Sequence, residues 1–132
     1  MANKKQEKSI VLTYLDDDPV EASLKNKFPQ DKFPYLDINT FRKPNEFLTI
    51  IEKGYRPHIV LIDTDLCNPK KGYEWARETR KIYDCAIIGT SFGDARYEWN
   101  KYGFPFMDKR VITMDLLVNP LEVIIEDLHQ RK

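Results

Sequence analysis

Residues 57–63 read Pro-His-Ile-Val-Leu-Ile-Asp, and this short run decides the fold. Ile59 to Ile62 are four consecutive apolar residues, three of them β-branched, with no polar position alternating between them. A strand with one wet face alternates; one that does not is covered on both faces, as in the centre of a parallel sheet. His58–Ile62 is therefore a central strand, bounded by Pro57 before it and by Asp63 at its carboxyl end.

The same reading extends in both directions. Residues 9–15, SIVLTYL, form a first strand that stops at Asp16-Asp17-Asp18, and Tyr35–Phe41 a second. Cys85–Gly89 is the fourth strand, leading into Thr90-Ser91, and Phe104–Met107 the fifth, leading into Asp108-Lys109. Helical patterns fill the intervals. One starts near Pro19 and ends by Pro29; another carries Phe47, Ile50 and Ile51 on one face and closes at Gly54. A third opens at Gly72 with Trp75, Thr79 and Ile82 on one face, and a polar helix spans roughly 93–102. The last begins at Asn119-Pro120 with an apolar stripe of Leu121, Ile124, Ile125 and Leu128.

Five strands alternating with five helices predict an α/β fold: a doubly wound five-stranded parallel sheet with helices on both faces. Residues 9–132 make one domain behind a flexible N-terminus, 1–8, as a chain of 132 residues suggests. Lys and Arg number 21 and Asp and Glu 21, so no basic excess marks a nucleic-acid or anionic-membrane surface. Apolar runs of four residues are far shorter than the roughly 20 of a membrane span. Cys67 and Cys85 lack metal-ligand spacing and fit a reducing cytoplasm.

In doubly wound sheets functional groups gather at the carboxyl ends of strands, near the reversal of strand order. Here those ends carry Asp16-Asp17-Asp18, Asp63, Thr90-Ser91 and Asp108-Lys109. Several carboxylates brought to one edge repel one another unless a cation offsets them. Hard oxygen donors of this kind suit Mg²⁺, which also accepts phosphoryl oxygens. Asp63 is the candidate nucleophile toward phosphorus, Lys109 the cation, and Thr90 a hydroxyl donor to a phosphoryl oxygen. His58 and His129 lack partners at catalytic spacing and are read as structural or exposed.

The stretches LDDDP at 15–19, PHIVLID at 57–63, IIGTS at 87–91 and FMDK at 106–109 together resemble the receiver domain of bacterial two-component response regulators, in order and separation, over nearly the whole chain. The resemblance implies the flavodoxin-like receiver topology. It makes Asp16 and Asp17 the acidic pair that holds Mg²⁺ together with Asp63 and the backbone carbonyl of Asp65. Asp63 becomes the phosphoacceptor, Thr90 the switch hydroxyl, Lys109 the family's lysine and Phe106 the aromatic that turns inward on activation. The Asp65 side chain occupies a place that tunes dephosphorylation. The loop TDLCNPKKG carries its proline and glycine later than the family pattern, and Arg110 follows Lys109 where proline is usual.

The expectation is a phosphoacceptor with at most slow autodephosphorylation, and not an enzyme acting on a diffusible metabolite. Its partners by this resemblance are a sensor histidine kinase or phosphotransfer protein and an output protein, without direct nucleic-acid or membrane binding; a homodimer stays open. The alternative is a pseudo-receiver that binds a partner without phosphorylation. Asp63-Thr64-Asp65 also resembles the nucleophile motif of haloacid-dehalogenase phosphatases, but Cys67 stands where Thr or Val belongs and the motif does not follow the first strand.

Overall fold

The computed structural model describes residues 9–17, 28–66, 70–108 and 119–131. Asp18, the helix expected from Pro19, Cys67, Lys109 and the N-terminal residues 1–8 lie outside the described residues. Five strands form one sheet: β1 (Ile10–Leu15), β2 (Leu36–Phe41), β3 (Ile59–Asp63), β4 (Ala86–Ser91) and β5 (Phe106–Asp108). Their order is β2-β1-β3-β4-β5, every pairing is parallel, and the direction of winding reverses between β1 and β3.

Four helices stand among the described residues: α1 (Pro44–Glu52), α2 (Gly72–Ile82), α3 (Arg96–Lys101) and α4 (Asn119–Arg131). They cover both faces, as the apolar run of β3 requires. Leu121 and Ile125 of α4 pack with Ile10, Leu12, Ile59 and Leu61 on one face. Phe47 and Ile51 of α1, Trp75 and Ala76 of α2, and Trp99 of α3 pack with Leu15, Val60, Ile62 and Ile87 on the other. All five residues of β3 are buried.

Boundaries move in ways that matter for the site. Strand β4 runs through Thr90 and Ser91, so these hydroxyl residues belong to the ladder instead of following it, and Thr90 pairs with Asp63. Strand β5 begins at Phe106, because Phe104 is tied by its N–H to the Trp99 carbonyl at 3.0 Å as the turn after α3 closes. The polar helix is shorter than expected, six residues from Arg96. Ile82 does not share the buried face of α2: it is 37% exposed, and Ala76 takes its place beside Trp75 and Thr79. Ile82 is the helix's last residue, where the chain is already turning toward β4.

The two histidines have structural contacts. His58 donates its backbone N–H to the Val11 carbonyl and accepts the Val11 N–H on Nδ1, both at 2.9 Å, which extends the β1–β3 pairing by a side chain. The ring of His129 stacks on Tyr35 at 3.8 Å and 14°, joining α4 to the start of β2. Gly54, which closes α1, has φ +113°, a left-handed conformation that glycine adopts without a Cβ penalty.

Candidate functional site

Strand alternation builds the site. In β1, Ile10, Leu12 and Tyr14 face the α4 side, and the same two-residue period carries Asp16 onto that face just beyond the strand. In β3, Ile59 and Leu61 face the same way and Asp63 follows them; in β4, Ile88 is followed by Thr90. The apolar face thus becomes polar at the carboxyl edge, at the reversal between β1 and β3 where open α/β sheets place their ligands.

Asp16, Asp17 and Asp63 each bring a carboxylate oxygen to within 4.8 Å of the other two. Asp16 and Asp63 are only 4% and 6% exposed, and Asp17 is half-buried. At the effective dielectric of about 20, two unit charges at this separation repel by roughly 3 kcal/mol. The fold therefore favours whatever neutralises them, and an all-oxygen donor set of this charge suits a hard divalent cation.

The floor of the cluster is Tyr14, fully buried, whose hydroxyl lies 3.5 Å from Thr90 Oγ1. Burial raises the pKa of this phenol well above the usual tyrosine value. Thr90 acts in the opposite sense, while the charges of Asp16 and Asp63 and a side-chain hydrogen bond with Asp16 push it further up. Tyr14 therefore stays a neutral hydroxyl, linking an acid of the cluster to the hydroxyl of β4. Thr90 is also fully buried and directs Oγ1 toward the Ile62 carbonyl at 3.4 Å.

Close packing holds β3 in place from the other direction. Gly72, at the start of α2, donates its N–H to the Thr64 carbonyl at 2.8 Å, and a Cβ there would fall 2.1 Å from the Asp63 carbonyl oxygen. Only glycine fits that approach. Lys71, just before it, closes a reciprocal capping arrangement with Glu74, whose Oε1 accepts the Lys71 N–H at 2.7 Å.

The structure brings together Asp16, Asp17, Asp63 and Thr90 from the residues singled out in the sequence. Asp65 stands apart: its exposed carboxylate receives Lys71 Nζ at 2.7 Å, and this bond raises the Lys71 pKa. Phe106 is half-buried at the start of β5, with the Arg96 guanidinium 5.2 Å over its ring. Three residues that the sequence reading passed over belong to the site's frame: Tyr14, Thr64 and Trp99. Tyr14 had a signal in its position two before Asp16, and Trp99 in Gly89, since a glycine inside a strand often marks a close approach.

No family model matches this sequence, and no curated protein matches it. Solved structures do match. A two-component response regulator from Clostridium difficile superposes with a TM-score of 0.71 at 13% identity, covering 93% of this chain and 98% of that one. A CheY-like response regulator receiver domain protein from Methanospirillum hungatei JF-1 gives 0.68 at 22% identity, covering 92% and 95%. A response regulator receiver protein from Sinorhizobium medicae WSM419 gives 0.63 at 18%, covering 83% and 94%. The chain has the receiver fold, the flavodoxin-like arrangement expected from its sequence.

Proposed function

We propose that this chain is a response-regulator receiver that accepts a phosphoryl group on Asp63. One observation carries the reading: in a receiver fold, three carboxylates from the ends of β1 and β3 converge within 4.8 Å at the sheet's carboxyl edge. An Asp63 oxygen attacks phosphorus of a phosphohistidine on a histidine kinase or phosphotransfer protein; the P–N bond breaks, the imidazole leaves with a proton, and an acyl phosphate forms. Water later cleaves the acyl phosphate, returning the carboxylate and inorganic phosphate. The protein is thus an acceptor with slow self-hydrolysis and does not turn over a metabolite.

Asp16, Asp17, Asp63 and the backbone carbonyl of Asp65 would hold Mg²⁺, which when bound offsets the charge of the carboxylates and phosphoryl oxygens. Lys109, outside the described residues, is the cation in this reading. The Thr90 hydroxyl leaves its inward contacts for the new oxygens and Phe106 turns into the space released, so the surface around α3, β5 and α4 changes for an output protein. A reducing cytoplasm is the setting. Among the described residues no helix is long and apolar enough to cross a membrane.

The test is intact-mass measurement after incubation with Mg²⁺ and acetyl phosphate. The expected result is a gain of one phosphoryl that disappears without Mg²⁺ and in Asp63→Asn. No gain in the parent chain overturns the reading in favour of a phosphorylation-independent module, and rapid phosphate release from small esters overturns it in favour of a phosphatase.

A further inference from the structure

Trp99 is the residue through which α3 touches the acceptor site. Its side chain is fully buried in the middle of a six-residue helix. Tyr73 and Phe104 meet the indole edge-on, with centroids 5.8 and 5.9 Å away. Gly89 of β4 lies so close beneath it that a Cβ there would come within 2.0 Å of the ring. Apolar packing alone would account for a phenylalanine at this place.

The indole nitrogen is the part that packing does not explain. Buried N–H groups need an acceptor, and Trp99 Nε1 finds one in Thr64 Oγ1 at 2.7 Å. The polarity of the contact is forced, because an indole N–H only donates. Thr64 Oγ1 accepts there and donates its own hydrogen to the Thr90 carbonyl at 2.8 Å. The Thr64 backbone N–H donates to the same oxygen at 2.9 Å. Thr64 follows Asp63 directly, and Thr90 is the ladder partner of Asp63. A satisfied, one-way chain of hydrogen bonds therefore runs from α3 through the residue after the acceptor into the end of β4.

We propose that Trp99 is a positioning residue that couples the state of Asp63 to α3 through the Thr64 hydroxyl. The inference rests on the receiver reading of Asp63. The acyl phosphate, with about −1.5 to −2 charges, replaces the single charge of the Asp63 carboxylate and brings new acceptor oxygens to this strand end. Adjustment of the 63–64 peptide and of Thr90 is passed to the indole because the Thr64 N–H and hydroxyl both donate to the Thr90 carbonyl and the same hydroxyl accepts the indole N–H, and a close-packed core shifts between arrangements more readily than it stretches. Helix α3 then moves as a unit and carries Tyr97, 73% exposed, with it. Phe92, 53% exposed, lies just beyond β4 on the same approach to the helix.

Hydrogen exchange across residues 96–101, read by mass spectrometry before and after phosphorylation with acetyl phosphate and Mg²⁺, tests the coupling on the full chain, with intact mass taken on the same samples. The parent should gain the phosphoryl group and change its exchange in α3. Thr64→Val should gain the phosphoryl group while the α3 change shrinks about fivefold, the equilibrium equivalent of one net hydrogen bond, and Thr64→Ser should restore it. Trp99→Phe, which keeps most of the packing and removes the N–H, should behave as Thr64→Val does and serves if that variant fails to fold. A phosphorylated Thr64→Val or Trp99→Phe whose α3 responds as fully as the parent overturns the inference alone. Absence of the phosphoryl gain in the parent overturns the receiver reading and this inference with it.

Discussion

The two faces of the sheet end differently at the same carboxyl edge. On the α4 face, Tyr14, Asp16, Asp63 and Thr90 turn the last rows of side chains polar. On the opposite face, Leu15, Ile62 and Gly89 stay apolar to the edge and support Trp99. Alternation puts neighbouring residues of one strand into these two environments: Ile62 packs under the helices while Asp63 joins the carboxylate cluster, and Gly89 receives an indole while Thr90 meets a phenol. A polar edge can be held rigid in this way because each of its side chains is flanked in sequence by one that packs on the other side. The chain Trp99–Thr64–Thr90 is the polar connection that crosses from the packed face to the site.

The largest effect should come from breaking the packed face. Gly89→Ala places a methyl group within 2.0 Å of the Trp99 ring, whose buried position leaves it nowhere nearby to go. Overpacking of this kind costs roughly 3 kcal/mol, which for a domain of this size lowers the melting temperature by on the order of 10 °C. The carboxylates lie on the other face, so the folded fraction at low temperature should still take up a phosphoryl group. Thermal unfolding followed by circular dichroism gives the first number and intact mass the second. A melting temperature equal to the parent's would mean that the two faces are not packed as differently as this geometry requires.

Tyr14→Phe probes the site face and should have a smaller effect. It removes a buried hydroxyl that links Thr90 and Asp16, at about 1 kcal/mol near neutral pH. The pH dependence has a definite sign. The folded phenol's pKa is raised above the ordinary 10.0, so the stability attached to its neutral form is complete below pH 10 and declines as pH rises toward the folded value. Tyr14→Phe has no such loss, and its deficit in a urea titration should narrow between pH 10 and 11. Tyr35, pushed up to about 12 by burial first and then by its hydrogen bond to Glu126, adds the same slope to both proteins and cancels in the comparison. A deficit that widens with pH would refute this account of the floor.

How much of this was legible follows the same division between faces. Local pattern carried the packed rows well: the unbroken apolar run at Ile59–Ile62 placed the central strand, and Asp16, Asp17 and Asp63 were located because acids that terminate buried strands are costly without a role. Strand order was legible through the expected fold. The contacts between faces were not. Nothing in the polar string around Trp99 distinguishes an indole that donates to Thr64 from one that fills space, since that pairing spans 35 residues and depends on the absent side chain of Gly89. Ile82 shares the helical period of Trp75 and Thr79 on paper, but it is the last residue of α2 and stands 37% exposed. The pattern ends the apolar run of the fourth strand at Gly89 with Thr90 and Ser91 just after it, while here the ladder to Asp63 and Asp108 continues through Thr90 and Ser91.

The smallest expected effect lies outside both faces, on Asp65. Its carboxylate and Lys71 Nζ meet at 2.7 Å, but both side chains are more than half exposed. Exposed pairs gain little because water screens the charges and two long side chains lose freedom. Asp65→Asn should therefore leave the urea midpoint unchanged within error, at low and high salt alike. Its effect should appear in the decay of the phosphorylated form, because the substitution removes a charge two residues after Asp63 while leaving the buried cluster intact. Lys71→Met sharpens the result: without its partner the Asp65 carboxylate is released from the 2.7 Å contact, so the difference in decay between Asp and Asn at 65 should be larger in that background. Equal lifetimes for all four proteins would remove Asp65 from the chemistry and confine the site to the face that carries Tyr14, Asp16, Asp63 and Thr90.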